Sequence, residues 1–154
     1  MNLVNLRERP QYLQILAEWH HAEWAHLNPG QTLADRIREM EGYLGNEPVP
    51  GTWLALEGDE LLGSAALLEH DMDIHRDRSP WLASVYVAEL RRGQGIGSRL
   101  VREAMRQARQ GGFRELTLYT PDAEAFYARL GWEVLEQCRY HDTDVTVMRC
   151  ELTA

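Results

Sequence analysis

The chain has 154 residues, 44% of them hydrophobic and 26% charged, and a formal net charge of −8. That length supports one domain with its own buried core, and the acidity argues against a general nucleic-acid or anionic-membrane binder. No apolar run approaches the roughly 20 residues of a membrane-spanning helix, and the opening Met1-Asn2-Leu3-Val4-Asn5-Leu6-Arg7-Glu8 lacks the basic-then-apolar order of a secretory signal. The expected location is therefore cytoplasmic. Cys138 and Cys150 are too few for a disulfide framework and have no metal-ligand spacing. They could face each other on paired strands, but free thiols suit a reducing compartment better.

In chain order, Asn2 to Arg7 reads as a first strand with Leu3 and Leu6 as its apolar content. Pro10 fits the first turn of a helix. Leu13, Leu16, Ala17, Trp24 and Leu27 carry the apolar face of that helix to about His26, and Asn28-Pro29-Gly30 ends it. Thr32-Leu33-Ala34-Asp35 resembles a capping box, and Leu33, Ile37, Met40 and Leu44 form the stripe of a second helix stopped by Gly45-Asn46. The first helix also carries Trp19, His20, His21, Trp24 and His26, read as packing and rim residues with substrate contact as the alternative; the histidines have no H-E-x-x-H or comparable ligand spacing. Thr52 to Glu57 and Leu61 to Glu69 alternate around Gly58-Asp59 as a β-hairpin. A charged loop, Asp71 to Ser79, leads into a central strand, Trp81 to Val87.

Past that strand comes Arg92-Gly93-Gln94-Gly95-Ile96-Gly97-Ser98, then an amphipathic helix with Leu100, Val101, Ala104, Met105 and Ala108 on one face. Gly111-Gly112 ends it, and Leu116, Leu118 and Tyr119 lie on the next strand. Thr120-Pro121 is expected to cap and open a short helix carrying Phe126 and Tyr127. Trp132 to Arg139 and Val145 to Glu151 close the chain as two strands. No repeat or low-complexity linker divides it, so residues 1–154 form a single domain.

The glycine-rich turn is the chemically informative stretch. The first-turn N–H groups of a helix have no internal acceptor and carry the positive end of its dipole, so a strand–glycine–helix turn makes a phosphate cradle. A P-loop is ruled out because no Lys follows Gly97. A dinucleotide fingerprint fails at Ser98, where the third glycine would stand.

A third pattern fits. Arg92-x-x-Gly95-x-Gly97 after Val85-Tyr86-Val87 resembles the acyl-CoA-binding motif [RQ]-x-x-G-x-[GA] of the GNAT N-acetyltransferase superfamily. Ala123-Glu124-Ala125-Phe126-Tyr127-Ala128-Arg129-Leu130-Gly131-Trp132 resembles the A-x-x-x-Y-x-x-x-G-[FW] segment of the same superfamily. The resemblance spans about Trp81 to Trp132. It implies an α/β fold, a mixed sheet of about seven strands with four helices, and acetyl-CoA as cosubstrate without a metal. The two N-terminal helices would border the acceptor.

The cofactor-binding residues it implies are Val85, Tyr86, Val87, Arg92, Gly93, Gln94, Gly95, Ile96, Gly97, Ser98, Thr120 and Phe126. Pantetheine amides would pair with the edge of the central strand, which requires a local splay or bulge there. A backbone N–H near Val87 would stabilise the oxyanion. Tyr127 stands at the position of the acid. A phenol with a pKa of about 10 is protonated at neutral pH and hydrogen-bonds the departing sulfur. Many members carry Asn where this chain has Thr120, and Thr lacks both faces of an amide.

The catalytic base is sought among Glu69, His70 and Asp71, at the end of the strand before the charged loop. Glu69 is the choice made from sequence, its pKa raised by burial; His70 has a suitable intrinsic pKa. The inferred reaction is acetyl transfer from acetyl-CoA to a primary amine by direct attack in a ternary complex. A small amine and a peptide amino group both suit, in a monomer or homodimer. The alternative is a non-catalytic acyl-CoA-binding module.

Overall fold

A computed structural model describes residues 1–152. Seven strands form one sheet in the order β1-β2-β3-β4-β5-β7-β6: β1 Asn2–Asn5, β2 Gly51–Glu57, β3 Glu60–Leu68, β4 Trp81–Val87, β5 Glu115–Thr120, β6 Glu133–Tyr140 and β7 Thr143–Glu151. Every neighbouring pair is antiparallel except β4 and β5. Four α-helices accompany them: α1 Leu13–Trp24, α2 Leu33–Glu41, α3 Ile96–Gln110 and α4 Glu124–Arg129. The mixed α/β architecture anticipated from sequence is the one observed.

The hairpin strands alternate, but not between core and solvent. Trp53 and Ala55 of β2 join Leu62 and Leu67 of β3 in a core with α3, through Ile96, Leu100, Val101, Ala104 and Ala108. Leu54 and Leu56 turn the other way and join Leu61 under α1 and α2, against Leu13, Leu16, Ala17 and Met40. Successive strand residues face opposite sides, so each face of the centre of the sheet carries a helical layer. A third cluster, Met72, Trp81, Tyr140, Val145 and Val147, ties the charged loop to the β6–β7 hairpin.

The local signals placed most ends correctly. Thr32 and Asp35 form a reciprocal capping box, Oγ1 accepting from Asp35 N at 3.1 Å and Oδ2 accepting from Thr32 N at 3.0 Å, a cap worth about 1 kcal/mol. Pro10 instead opens a 3₁₀ turn, Pro10–Tyr12, ahead of α1, and a second such turn, Ala25–Leu27, follows it. β1 ends at Asn5, whose side chain caps the next turn by accepting from Arg7 N at 2.9 Å. Thr120-Pro121 does not open α4, which starts at Glu124. Thr120 Oγ1 accepts from Ala123 N at 3.0 Å and so shapes the turn before it. Cys138 lies opposite Val145 and Cys150 opposite Leu116, so the two thiols do not face each other.

Two irregularities shape the middle of the sheet. Pairing of β4 with β5 is confined to Trp81 against Thr117; beyond it the strands part. Between the Ser64–Tyr86 and Ala66–Ala83 pairs, β4 has one more residue than β3. That bulge puts Ser84 at φ +54°, a left-handed conformation uncommon for a non-glycine residue.

Candidate active site

The parted strands open a cleft of about 1070 Å³. One wall is built by β4 and α3. Glycines at 93 and 95 both take φ +80°, which lets the chain turn sharply from β4 into α3 with Gly95 as the N-cap. Among the described residues no side-chain hydrogen bond caps this helix. A Cβ on Gly95 would meet nothing within 4 Å, so the space in front of the first-turn amides is open. Donors without acceptors, a helix dipole and room for a group fit a diphosphate. Among the described residues no strand pairs with the β5-facing edge of β4 past Trp81, leaving an edge suited to a chain of amides.

Across the gap stand Thr120, Phe126 and Tyr127. Tyr127 is buried, its ring held 5.0 Å from Phe126 and 6.1 Å from Trp132. Burial first, and the Asp122 and Asp71 carboxylates second, hold its phenol above the ordinary range. It is therefore a neutral proton and hydrogen-bond donor across physiological pH.

The far end of the cleft is lined from α1, α2 and the turn after it, the loop after β3, the end of β5 and the β6–β7 hairpin, by Trp24, Arg36, Tyr43, Asp71, Tyr119 and Tyr140 among others. Asp71 is partly buried. Desolvation pushes its carboxyl up to about 7, helped by nearby Glu39 and opposed by Arg36. A carboxyl at that value exchanges protons near neutrality, as a base must.

The structure brings together Val85, Tyr86, Val87, Arg92, Gly93, Gly95, Ile96, Gly97, Ser98, Thr120, Phe126 and Tyr127 on this one cleft. Gln94 and Glu69 fall outside the lining. Glu69 sits just past the end of β3 and is exposed. Met72, three residues further on, is buried, and Asp71 beside it lines the cleft. Arg92 lines the cleft, but its Nε donates to Val87 O at 2.9 Å and its guanidinium lies 5.4 Å from the Tyr86 ring centre. It braces β4 as well as adding charge.

Sequence reading missed two features. A Cβ on Gly63 would fall 2.3 Å from Tyr86 O, so only glycine lets β3 and β4 approach beside the bulge. Arg36, His20, Ser64 and Ser84 form a polar chain, buried at His20 and Ser64, from the helices to β4. Neither has a local spacing signal; the H-bond partners are 16 to 48 residues apart. Among the described residues no cluster of His, Cys, Asp or Glu is arranged to hold a metal, and no helix is long and apolar enough to cross a membrane.

Comparison with known proteins matches residues 11–132 to the model of the acetyltransferase (GNAT) family. An uncharacterised N-acetyltransferase, YjgM, of Escherichia coli K12 is 26% identical over 97% of this chain and 93% of its own length. A mycothiol acetyltransferase of Corynebacterium efficiens is 36% identical over 53% of this chain, which covers 27% of that protein. Among solved structures, an aminoglycoside 6'-N-acetyltransferase complexed with coenzyme A superposes with TM-score 0.77 at 18% identity, over 100% of this chain and 98% of that one. YncA of Salmonella typhimurium, a putative acetyltransferase with acetyl-CoA bound, gives TM-score 0.69 at 18% identity, over 99% and 94%.

Proposed function

This chain belongs to the GNAT acetyltransferase family and is an acetyl-CoA-dependent acyltransferase, and from that premise we propose that it transfers acetyl from acetyl-CoA to a primary amine by direct attack in a ternary complex. The observation that carries the reading is the gap between β4 and β5. One end is a glycine-built helix N-terminus, the middle is an unpaired strand edge, and Tyr127 and Asp71 line the same cleft.

Each residue then has a chemical task. First-turn amides of α3 bind the diphosphate. The edge at Val85–Val87 aligns the pantetheine arm, and a β4 backbone N–H near Val87 stabilises the oxyanion, a contact worth about 3 kcal/mol in other enzymes. Asp71 takes one proton from the substrate ammonium, and the neutral amine so formed attacks the thioester carbonyl. When the tetrahedral intermediate collapses, the C–S bond breaks, Tyr127 hydrogen-bonds or protonates the departing thiolate, and the nitrogen gives up its second proton to the tyrosyl oxygen or to water, leaving the neutral amide. Asp71 takes the role that sequence alone gave to Glu69, because it has both the cleft position and the raised pKa.

Calorimetric titration with acetyl-CoA tests the reading, with Gly95→Glu as control. The native protein is expected to bind in the micromolar range. The substitution fills the open cradle with a like-charged side chain and strains a φ +80° position, so its binding is expected to vanish. Absence of binding by the native protein overturns the proposal. A primary-amine panel then identifies the acceptor.

A further inference from the structure

β4 bulges at Ser84, immediately before the Val85–Val87 segment that β5 leaves unpaired, and something must hold that bulge. Ser84 at its centre is fixed twice. Its Oγ accepts from Arg36 Nη2 at 3.0 Å, and its carbonyl accepts from Ser64 Oγ at 2.8 Å. Arg36 Nη2 also lies 2.7 Å from His20 Nδ1, and His20 Nε2 lies 2.9 Å from Ser64 Oγ. A guanidinium has no lone pair to offer, so Nδ1 accepts and the proton of His20 sits on Nε2. Nε2–H then donates to Ser64 Oγ, and the Ser64 hydroxyl donates onward to Ser84. Each donor in this ring has one direction.

Burial supports that assignment. His20 and Ser64 are almost wholly inaccessible, and desolvation followed by the Arg36 charge holds the imidazole neutral. Glu39 anchors the other side of Arg36, accepting from Nη1 at 2.5 Å. Next along β4, Tyr86 is boxed by Trp19 at 5.6 Å, Trp24 at 5.9 Å and His20 at 6.3 Å between ring centres. Its neighbours Val85 and Val87 turn to the opposite face and pack on the α3 core.

We propose that Arg36 and His20 are positioning residues that, through Ser64 and Ser84, lock the β4 bulge in the form that presents Val85–Val87 to the acyl-CoA. The proposal rests on the acetyltransferase reading for its ligand, but not for its geometry. Its consequence is mechanical: α1 and α2, which border the acceptor end of the cleft, set the shape of the acyl end.

The test combines acetyl-CoA calorimetry with amide hydrogen exchange on the native protein, Arg36→Gln, Ser84→Ala and the double variant. Each single variant is expected to bind acetyl-CoA about tenfold more weakly, the scale of one lost hydrogen bond. Exchange at Val85, Tyr86 and Val87 is expected to quicken in both. The double variant is expected to be no worse than either single one, because both cut the same link. Native-like binding and exchange in Ser84→Ala overturn the proposal, as does additive weakening in the double variant. Ser84→Ala keeps the test intact if Arg36→Gln does not fold. If the native protein binds no acetyl-CoA, the functional reading fails, while the exchange rates still judge the lock.

Discussion

The two ends of the cleft recognise by different means. The end made by β4 and α3 offers mainly backbone: free amides at a helix start, an unpaired strand edge, and glycines that keep side chains away. The end made by α1, α2 and the turn after it, the loop after β3, the end of β5 and the β6–β7 hairpin offers side chains: Arg36, Tyr43, Asp71, Tyr119 and Tyr140. Backbone recognition suits a ligand that never changes, because a peptide group presents the same donor whatever its residue. Side-chain recognition suits a partner that differs between related proteins. The structural neighbours share this fold at about 18% identity, a distance at which backbone geometry persists while side chains are replaced.

That contrast can be broken most sharply at its chemical centre. Tyr127→Phe is expected to lower kcat by about 10²–10³-fold, the range for a lost positioned proton donor, while the dissociation constant for acetyl-CoA stays within about twofold. Steady-state kinetics beside calorimetry check this. An equal loss in binding would move Tyr127 from the chemistry to the acyl-CoA wall.

Asp71→Asn comes next, with a lower expected cost of about 10²-fold in kcat/KM at pH 8. Wild-type activity is expected to rise with pH through about 7, as Asp71 loses its proton; that limb should disappear in the variant. Stability has the opposite sign. The carboxyl titrates at about 7 when folded and near 3.9 when unfolded, so the folded state resists its ionisation. Its contribution is fully favourable below the unfolded value and is lost as pH rises from about 4 to about 7. Asp71→Asn should therefore be the more stable protein at pH 8, by about 1–3 kcal/mol, and equal to wild type near pH 3. Thermal melts at the two pH values check it.

Arg92→Gln sharpens the contrast at smaller scale. Since Nε is tied to the Val87 carbonyl, both charge and brace are lost, and acetyl-CoA binding is expected to weaken about fivefold. The loss should shrink only partly at high salt, because the brace is not a long-range charge effect.

The backbone end was legible in the sequence because it is contiguous. Strand Trp81–Val87, the left-handed glycines and the start of α3 occupy one short stretch, and each leaves a composition signal. The side-chain end was legible only in outline. Glu69 and Asp71 have equal claims as letters; exposure of one and desolvation of the other come from how the chain leaves β3. The Arg36–His20–Ser64–Ser84 ring joins four elements, so no local window contains it. Gly63 looked like any strand glycine until Tyr86 O was placed against it. The ends of α1 and α4 departed for a related reason. Proline and threonine there shape 3₁₀ and capping turns that precede the helix proper, and sequence patterns do not separate such turns from a first helical turn.

The smallest expected effect concerns how the side-chain end is held together. His141 Nδ1 lies 2.6 Å from Leu27 O and Nε2 lies 3.2 Å from Asp73 Oδ2, so the imidazole joins the end of α1, the charged loop and the β6–β7 hairpin. Both neighbours are acceptors, and only the doubly protonated ring donates to both. The Leu27 carbonyl foremost, with Asp73, accordingly raises its pKa. The stabilisation is fully present below the unfolded value near 6.5 and fades as pH climbs through the higher folded one. Because the ring is partly exposed, solvent screening keeps the effect modest. His141→Ala is expected to lower Tm by about 1–3 °C at pH 5.5 and by less at pH 9, with acetyl-CoA affinity unchanged at both. Altered acetyl-CoA affinity would show that the two ends are coupled through the hairpin as well as through Arg36, and the division between them would have to be redrawn.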